Sequence, residues 1–348
     1  YEYSLVQGGI SGNTNDWYLT SEASQVAPEG GAYIGTQQAT RTMFDHGLQD
    51  RASKRSLGAD RQDSGLWMRA QGRHDKGMRM AEGKVDIDSS SDVVQMGGAL
   101  LRRPVGAQGA LYAGLMAGYG DARIDSTSTL MRRDTNTAVR AKAHGKVSGY
   151  SAGVYGTFYA DDVNRLGAYV DTWLQYGRYT NRLSSELGSA DYDSNLWSAS
   201  LESGYALAPF AADSPFRAWV VEPRGQLIYS RYTARAADLQ DTRLRNGTAD
   251  AWRSSIGVRL YQQPGQAADE SVLRPFVETN WLHSEAVPSV RMGSNSFDAR
   301  PSRDALELKV GAQLRVARDV ELSSHLFGHS GSASEYGYGG QLSLSYSW

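Results

Sequence analysis

The chain has no cysteine among its 348 residues, so neither disulfide bridges nor thiolate metal sites are open to it. It also has no run of 18 apolar residues, which excludes a transmembrane helix. That absence does not exclude a membrane barrel, in which only half of each strand is apolar. Net charge is small, −2 at pH 7, and argues against a nucleic-acid partner held by bulk charge. Phenylalanine is scarce, at 7 residues, beside 20 Tyr, 8 Trp and 38 Gly. Such a balance suits many strands and turns, and Tyr and Trp suit a membrane interface. A phosphate loop or nucleophile elbow is not expected, nor is any catalytic residue, metal or cofactor. The six histidines stand at 46, 74, 144, 283, 325 and 329. His325 and His329 read as solvated side chains, because no third metal ligand accompanies them.

What is present is alternation. The last residues place Leu342, Leu344, Tyr346 and Trp348 on one face of a strand, with serine at 343, 345 and 347 on the other. One face suits lipid, the other a polar lumen, and the aromatic end a membrane interface. The same period of two recurs upstream. Leu166, Ala168, Val170, Thr172, Leu174 and Tyr176 oppose Tyr169, Asp171, Trp173 and Gln175, and Leu306, Leu308, Val310, Ala312 and Leu314 oppose Glu307, Lys309, Gln313 and Arg315. About twelve strands are predicted between residues 66 and 348, several longer than the 3–10 residues usual in globular sheets. Short connections at 103–109, 161–165, 209–215, 262–272 and 318–319 alternate with longer polar ones at 74–92, 123–146, 181–195, 233–250, 284–304 and 329–337. The fold expected is an all-β transmembrane barrel of about 12 antiparallel strands.

Ahead of the strands, residues 28–57 read as the one helix. Pro28 and Glu29 stand at its start and Arg51, Lys54 and Arg55 at its end, as the helix dipole prefers. Ile34, Arg41, Phe44 and Leu48 share a face with Arg41 interrupting it, and much of the rest is small. That surface fits a polar tube better than an apolar core. From 31 to 51 such a helix runs about 30 Å, one bilayer core, so a helix through the lumen is expected, carrying Ile34, Arg41, Phe44, Asp45, Leu48 and Arg51. The inward-facing charges Asp171, Glu202, Glu222, Arg224, Glu278, Glu307, Lys309 and Arg315 have mixed signs, so they make no ion-selective ring. They form either a hydrated lining paired within itself or a cradle for Arg41, Asp45, Gln49 and Arg51. Residues 1–22 read as the end of a preceding domain, 23–62 as linker and pore helix, and 63–348 as the barrel. The start at Tyr1 inside a β-like run suggests the C-terminal part of a longer protein.

Several segments resemble one family. They are Asn15-Asp16-Trp17-Tyr18-Leu19, the helix entry with Pro28, Glu29 and Tyr33, the pair Leu66-Trp67, the stretch from Val221 through Glu222, Pro223, Arg224, Gly225 and Gln226 to Leu227, and the ending 342–348. They are similar to the translocator unit of monomeric (type Va) autotransporters of the bacterial adhesin group. The resemblance implies a twelve-stranded barrel in the outer membrane of a Gram-negative bacterium. A helix threads its pore and tethers an exported passenger that ends near residue 22. It further implies a monomer without enzymatic activity or nucleic-acid partner. Its partners would be outer-membrane lipid and lipopolysaccharide, periplasmic chaperones and the barrel-assembly machinery, which would read Leu342, Leu344, Tyr346 and Trp348 as an insertion signal. Self-cleaving members carry a double asparagine in the pore helix, whereas none occurs between Pro28 and Leu57. A general porin, a barrel that cleaves its own passenger and a barrel-embedded hydrolase stand as alternatives.

Overall fold

A computed structural model of the chain describes all residues except 1, 8–14, 16, 23–25, 52–64, 133–136, 212, 241, 247–249, 264–272, 294, 300, 318, 333, 334 and 348, with backbone alone at 2–6, 18–22, 131 and 132. Trp348 and the part of the expected helix beyond Arg51 lie outside the described residues. A hairpin of β1 (Glu2–Gln7) and β2 (Trp17–Glu22) comes first, paired from Glu2↔Glu22 to Gln7↔Trp17. Then follow α1 (Pro28–Thr42) and the single turn α2 (Leu48–Arg51).

Twelve strands close on themselves. They are β3 (Gly65–Met80), β4 (Val85–Val105), β5 (Gly109–Arg132), β6 (Thr137–Tyr159), β7 (Gly167–Ser185), β8 (Gly188–Ala206), β9 (Trp219–Ala234), β12 (Asp250–Gln262), β13 (Leu273–Ser284), β16 (Asp304–Ala317), β17 (Val320–Gly331) and β18 (Tyr336–Ser347). Every neighbour is antiparallel, and β18 closes on β3 in register from Tyr336↔Lys76 to Ser347↔Gly65. Closure leaves no unpaired edge, as lipid requires. Four short strands, β10 (Ala237–Leu239), β11 (Thr242–Asn246), β14 (Ser289–Met292) and β15 (Asn295–Asp298), make a separate sheet from two of the connections.

The alternation inverts the usual arrangement of a soluble protein. Leu115, Val154, Leu174, Leu201, Ile256, Leu306 and Leu342 are exposed outward, whereas Asp171, Gln175, Glu202, Glu222 and Glu278 are buried inside. Outward aromatics pair across strands near one level: Tyr119 with Tyr150 at 5.0 Å, Tyr176 with Trp197 at 4.8 Å and Tyr229 with Trp252 at 4.8 Å between ring centroids. Such a row marks a membrane–water boundary. On β7 the apolar outward run ends at Tyr176, and Arg178, Thr180, Arg182 and Ser184 follow. On β5 it ends at Tyr119, before Asp121, Arg123, Asp125 and Thr127.

Strands β3–β8 therefore continue well beyond the membrane, which corrects three expected loops. The stretches 74–92, 123–146 and 181–195 are mostly strand: β3 runs to Met80 and β4 starts at Val85, β5 runs to Arg132 and β6 starts at Thr137, and β7 runs to Ser185 and β8 starts at Gly188. Their polar outward residues look like loop in sequence, but inward they alternate with Val85, Ile87, Ile124, Val147, Leu183 and Tyr192, all buried. The connections 233–250 and 284–304, also expected as loops, supply the four-stranded sheet, which leans over the open end with Leu239, Leu244 and Val290 buried.

The helix is a second correction. It does not run unbroken from 31 to 51 across a bilayer: α1 stops at Thr42 and Met43–Gly47 is irregular before the turn of α2. The wall beside α1 consists of Ile87, Ile124, Ser126 and Gly145, all beyond the aromatic row. Its 15 residues, about 22 Å long, thus stand inside the tall extension, and only the break and α2 reach membrane level.

Candidate functional site

Seating of α1 depends on small residues. A Cβ on Gly31 would overlap Ser126 and one on Gly35 would overlap Ile124, so the helix backbone lies against β4 and β5. Gly145 gives the same closeness from β6, where an added Cβ would stand 2.7 Å from Thr36. Tyr33 stacks on Tyr192 at 5.1 Å, and the Thr36 and Tyr192 hydroxyls are 2.5 Å apart. At the N-terminal end, Pro28 occupies the first turn, where its missing N–H costs nothing, and Gly30 packs against Met292 and Val290 of the four-stranded sheet. Burial of Tyr33, Ile34, Phe44 and Leu48, at about 1.5–3 kcal/mol for each large side chain, is the apolar part of the hold.

The break is held by its carbonyls. Trp173 Nε1 donates to the His46 carbonyl at 3.2 Å and Gln226 Nε2 at 2.9 Å. Gln175 reaches the Phe44 carbonyl at 3.4 Å, Arg69 the Asp45 carbonyl at 3.4 Å and Arg253 the Arg41 carbonyl at 2.9 Å. Helical hydrogen bonds lost between 43 and 47 are thus replaced from the wall, which is the physical reason the helix can stop there. His46 donates from Nδ1 to the Phe44 carbonyl at 2.9 Å and stacks on Trp173 at 5.1 Å. The turn of α2 restarts with Asp50 Oδ2 accepting the Gly47 N–H at 2.9 Å, a capping arrangement.

Below the break, the charges form one network around α2. Arg51 pairs with Asp171, donates to Thr157 at 3.2 Å and lies over the Tyr155 ring at 4.1 Å. The Leu48 N–H donates to Glu202 at 2.9 Å and Gln49 to Glu222 at 2.9 Å. Asp45 pairs with Arg253 at 2.5 Å, and Asp50 with Lys309 at 3.4 Å. Behind them Arg224 bridges Glu278 at 2.6 Å and Glu202 at 3.6 Å, and Asn280 donates to Glu278 and Glu307 at 2.7 and 2.9 Å. Arg41 lies over the Tyr232 ring at 5.6 Å. Losing one partner of a buried pair costs about 3–5 kcal/mol, because the other charge is stranded.

Among the inward charges, Asp171 meets Arg51 and Glu222 meets Gln49, whereas Glu202 and Lys309 meet Leu48 and Asp50, which are not among the expected cradled residues, Asp45 is held by Arg253, and Arg224, Glu278 and Glu307 stand behind. Arg315 belongs to neither group. It is half-exposed near the short-turn end of β16, opposite Glu321 and away from the described part of the plug. His325 Nε2 lies 3.9 Å from Asp50 and His329 Nε2 3.4 Å from Asp75, so the two point to different carboxylates. Sequence reasoning missed Asp50, Arg69, Gln226 and Gln341 as contacts of the plug. Gln341 donates to the Asp50 carbonyl at 2.8 Å. For the three wall residues, strand parity was the available signal, since each sits between outward-facing neighbours.

One spacing was also passed over: Gly149-Tyr150-Ser151-Ala152-Gly153 fits Gly-x-Ser-x-Gly. It lies mid-strand in β6, with Ser151 paired to Gly118 and Gly177, and not on the strand-to-helix turn that exposes a nucleophile.

Beside the seated plug remains a polar cavity of about 220 Å³, lined by Asp45, Asp50, Arg73, Glu307, His325 and Glu335 among others. It is smaller than a pocket for a drug-sized molecule, about 300–1,000 Å³.

A closed barrel with an apolar outer band, an aromatic row and a lumen filled by its own N-terminal segment defines an outer-membrane barrel plugged in cis. The family model of the autotransporter beta-domain matches residues 66–325. The Escherichia coli K12 protein YdeU, described as uncharacterized, is 29% identical over 383 residues, covering 100% of this chain and 80% of its own length. The autotransporter adhesin AIDA-I of Escherichia coli is 25% identical over 368 residues, covering 100% of this chain but 28% of its own length. The crystal structure of the AIDA-I transport unit superposes with a TM-score of 0.80 at 22% identity, over 93% of this chain and 100% of that one. The beta domain of the Bordetella autotransporter BrkA gives 0.58 at 18% identity, over 82% and 99%.

The chain belongs to the autotransporter beta-domain family. It is an outer-membrane translocator of a Gram-negative bacterium, linked to a passenger displayed at the surface, and its family is not one of enzymes.

Proposed function

We propose that residues 63–348 anchor and export a passenger that ends near residue 22, and that residues 23–62 are the last stretch to enter the pore and stay there as its plug. The observation that carries this is the fit of α2 in the lumen, where it is bonded to β7 through Asp171, β8 through Glu202, β9 through Glu222, β16 through Lys309 and β18 through Gln341. An even number of strands puts both barrel ends on the periplasmic side, so a segment that threads the lumen leaves residues 1–22 outside the cell. The long extensions of β3–β8 and the four-stranded sheet then stand at the extracellular mouth. The whole protein acts by what it displays, as an adhesin like AIDA-I. The barrel works as a monomer, with no catalytic residue, in contact with outer-membrane lipid, periplasmic chaperones and the assembly machinery.

Because the chain lacks cysteine, a single engineered pair reports seating. Thr36→Cys with Gly145→Cys joins plug to wall at a point where the Gly145 Cβ would be 2.7 Å from Thr36. The cross-linked species is expected to carry a passenger already accessible to protease on intact cells. A cross-linked barrel whose passenger stays protected would contradict seating after export.

Leu342, Leu344 and Tyr346 face outward on β18, exposed at 51%, 38% and 45%, and we read them as the insertion signal together with Trp348. Tyr346→Asp is expected to lower the amount of heat-modifiable folded barrel, with no stalled passenger in the barrels that do fold. A charge on the lipid face costs up to about 2–4 kcal/mol at the midplane and less near the interface, so loss of recognition is the larger effect. Normal levels of folded barrel in this variant would remove Tyr346 from the signal.

A further inference from the structure

We propose that the turn 160–166, between β6 and β7, is a lid on the periplasmic mouth of the lumen, which swings aside while the passenger passes and closes again beneath the seated plug. The proposal rests on the export reading above and adds a moving part to the barrel. The turn does not simply continue the wall. Gln263 follows β12, where its N–H still pairs with the Ala218 carbonyl at 2.7 Å, yet its Nε2 donates to the Asn164 carbonyl at 2.9 Å. Between β7 and β12 stand β8 and β9, so the turn reaches across about 14 Å of wall. The side chains show that it reaches inward. Arg165 lies over the Tyr159 ring at 3.8 Å, and Tyr159 shares the inward face of β6 with Tyr155 and Thr157. Leu166 heads an outward series by sequence parity, but it packs against the buried cluster of Ala206, Val220, Tyr261 and Phe276. The parity is broken by a φ of +56° at Arg165 and +77° at Gly167, a backbone that favours glycine and that only the second position matches.

The two flanks of the turn are held unequally. On one side the Asp162 N–H donates to the Gln108 carbonyl at 2.7 Å, and the Asp162 carboxylate accepts from Tyr112 at 2.7 Å and Arg102 at 2.8 Å. On the other side stand the single neutral hydrogen bond from Gln263 and the apolar contact of Leu166. Charge-assisted hydrogen bonds are roughly twice as strong as neutral ones, so the Asp162 flank is the hinge and the Asn164 flank the latch. Once the latch opens, Arg165 leaves the Tyr159 ring and its backbone is free to relax. Tyr159 lies four residues, about 13 Å of strand, from Tyr155, on whose ring Arg51 of the plug rests. The closed lid therefore stands below α2 on the periplasmic side, and plug and lid are successive seals on one passage.

Two measurements test the lid, both on the full chain. In detergent, trypsin cuts after Arg165 only when the turn has left the mouth, so the rate of that cut follows the open population. Gln263→Ala removes the latch and should raise the rate about fivefold, the worth of one hydrogen bond, with the heat-unfolding midpoint unchanged. An unchanged rate overturns the lid. In cells, the chain carrying Asn164→Cys and Gln263→Cys and an epitope tag ahead of residue 1 has no other cysteine to react. A short bis-thiosulfonate, cleavable by reductant, is added during a pulse of synthesis. Folded barrels that cross-link while the tag is still protected from protease are expected to keep it protected until reductant cuts the link, and then to expose it. Cross-linked barrels that expose the tag without reduction overturn the lid, and so does a purified chain that does not cross-link. Failure of the export reading looks different: the tag then stays protected on barrels that carry no cross-link, and the trypsin result is untouched.

Discussion

A barrel lacking residues 28–51 is expected to conduct ions several-fold better than the complete chain in planar bilayers, and to unfold at a lower temperature. With the segment seated, the passage is occupied by α1 in the extracellular extension and by the break and α2 at membrane level, with a cavity of about 220 Å³ beside them. Removing it opens a lumen lined by Asp171, Glu202, Glu222, Glu278 and Lys309, all hydratable side chains. It also strands Asp171, whose cation is Arg51, and Arg253, whose carboxylate is Asp45. Those losses, with Tyr33, Ile34, Phe44 and Leu48 no longer buried, account for the lower stability. Equal conductance with and without the segment would show that the plug is not what closes the pore.

Narrowing the lumen is expected to stall export while the barrel still folds, provided that the positions are chosen for what surrounds them. Gly114, Gly257 and Gly311 are poor choices, because a Cβ there would press on the backbone oxygens of Gly98, Thr279 and Ser324 and disturb the wall itself. At Gly118 the nearest groups are the Phe44 ring at 2.8 Å and the Gln95 side chain at 3.2 Å, so added bulk meets the plug and a flexible side chain of β4 and not the wall backbone. Ser198 and Ser200 face the lumen from β8 as small hydroxyl side chains. The triple variant with Gly118→Leu, Ser198→Phe and Ser200→Phe should reach normal levels of folded barrel and show a large fall in surface passenger, with passenger accumulating on the periplasmic side. Export at the parent's rate through that lumen would mean that transit does not depend on this lining.

The barrel was legible because strand parity is a local signal. Leu174 out and Trp173 in, or Leu308 out and Lys309 in, follows from a period of two and needs no knowledge of the neighbours. The heights of the strands were not legible from polarity. Asp125, Thr127 and Arg182 look like loop residues, and only the inward partners Ile124, Ser126 and Leu183 show that the sheet continues above the membrane. The plug was half legible. Pro28, Glu29 and the small face of Gly31, Gly35 and Ala39 announce a helix packed closely in a tube. The break at Met43–Gly47 has no sequence mark apart from Gly47, since it exists through donors on distant strands, among them Trp173, Gln175, Gln226 and Arg253. The carboxylate contacts of α2 follow the same rule: parity shows that Glu202 and Glu222 point inward, and only the closed barrel shows that they meet Leu48 and Gln49.

The central claim is that the chain ahead of the plug ends up outside the cell, and it is tested by placing an epitope tag immediately before residue 1 and treating intact cells with protease. The account predicts that the tag is removed from intact cells while the barrel stays folded and protected. A tag that survives on intact cells, and becomes sensitive only after the outer membrane is opened, would place the passenger in the periplasm and contradict it.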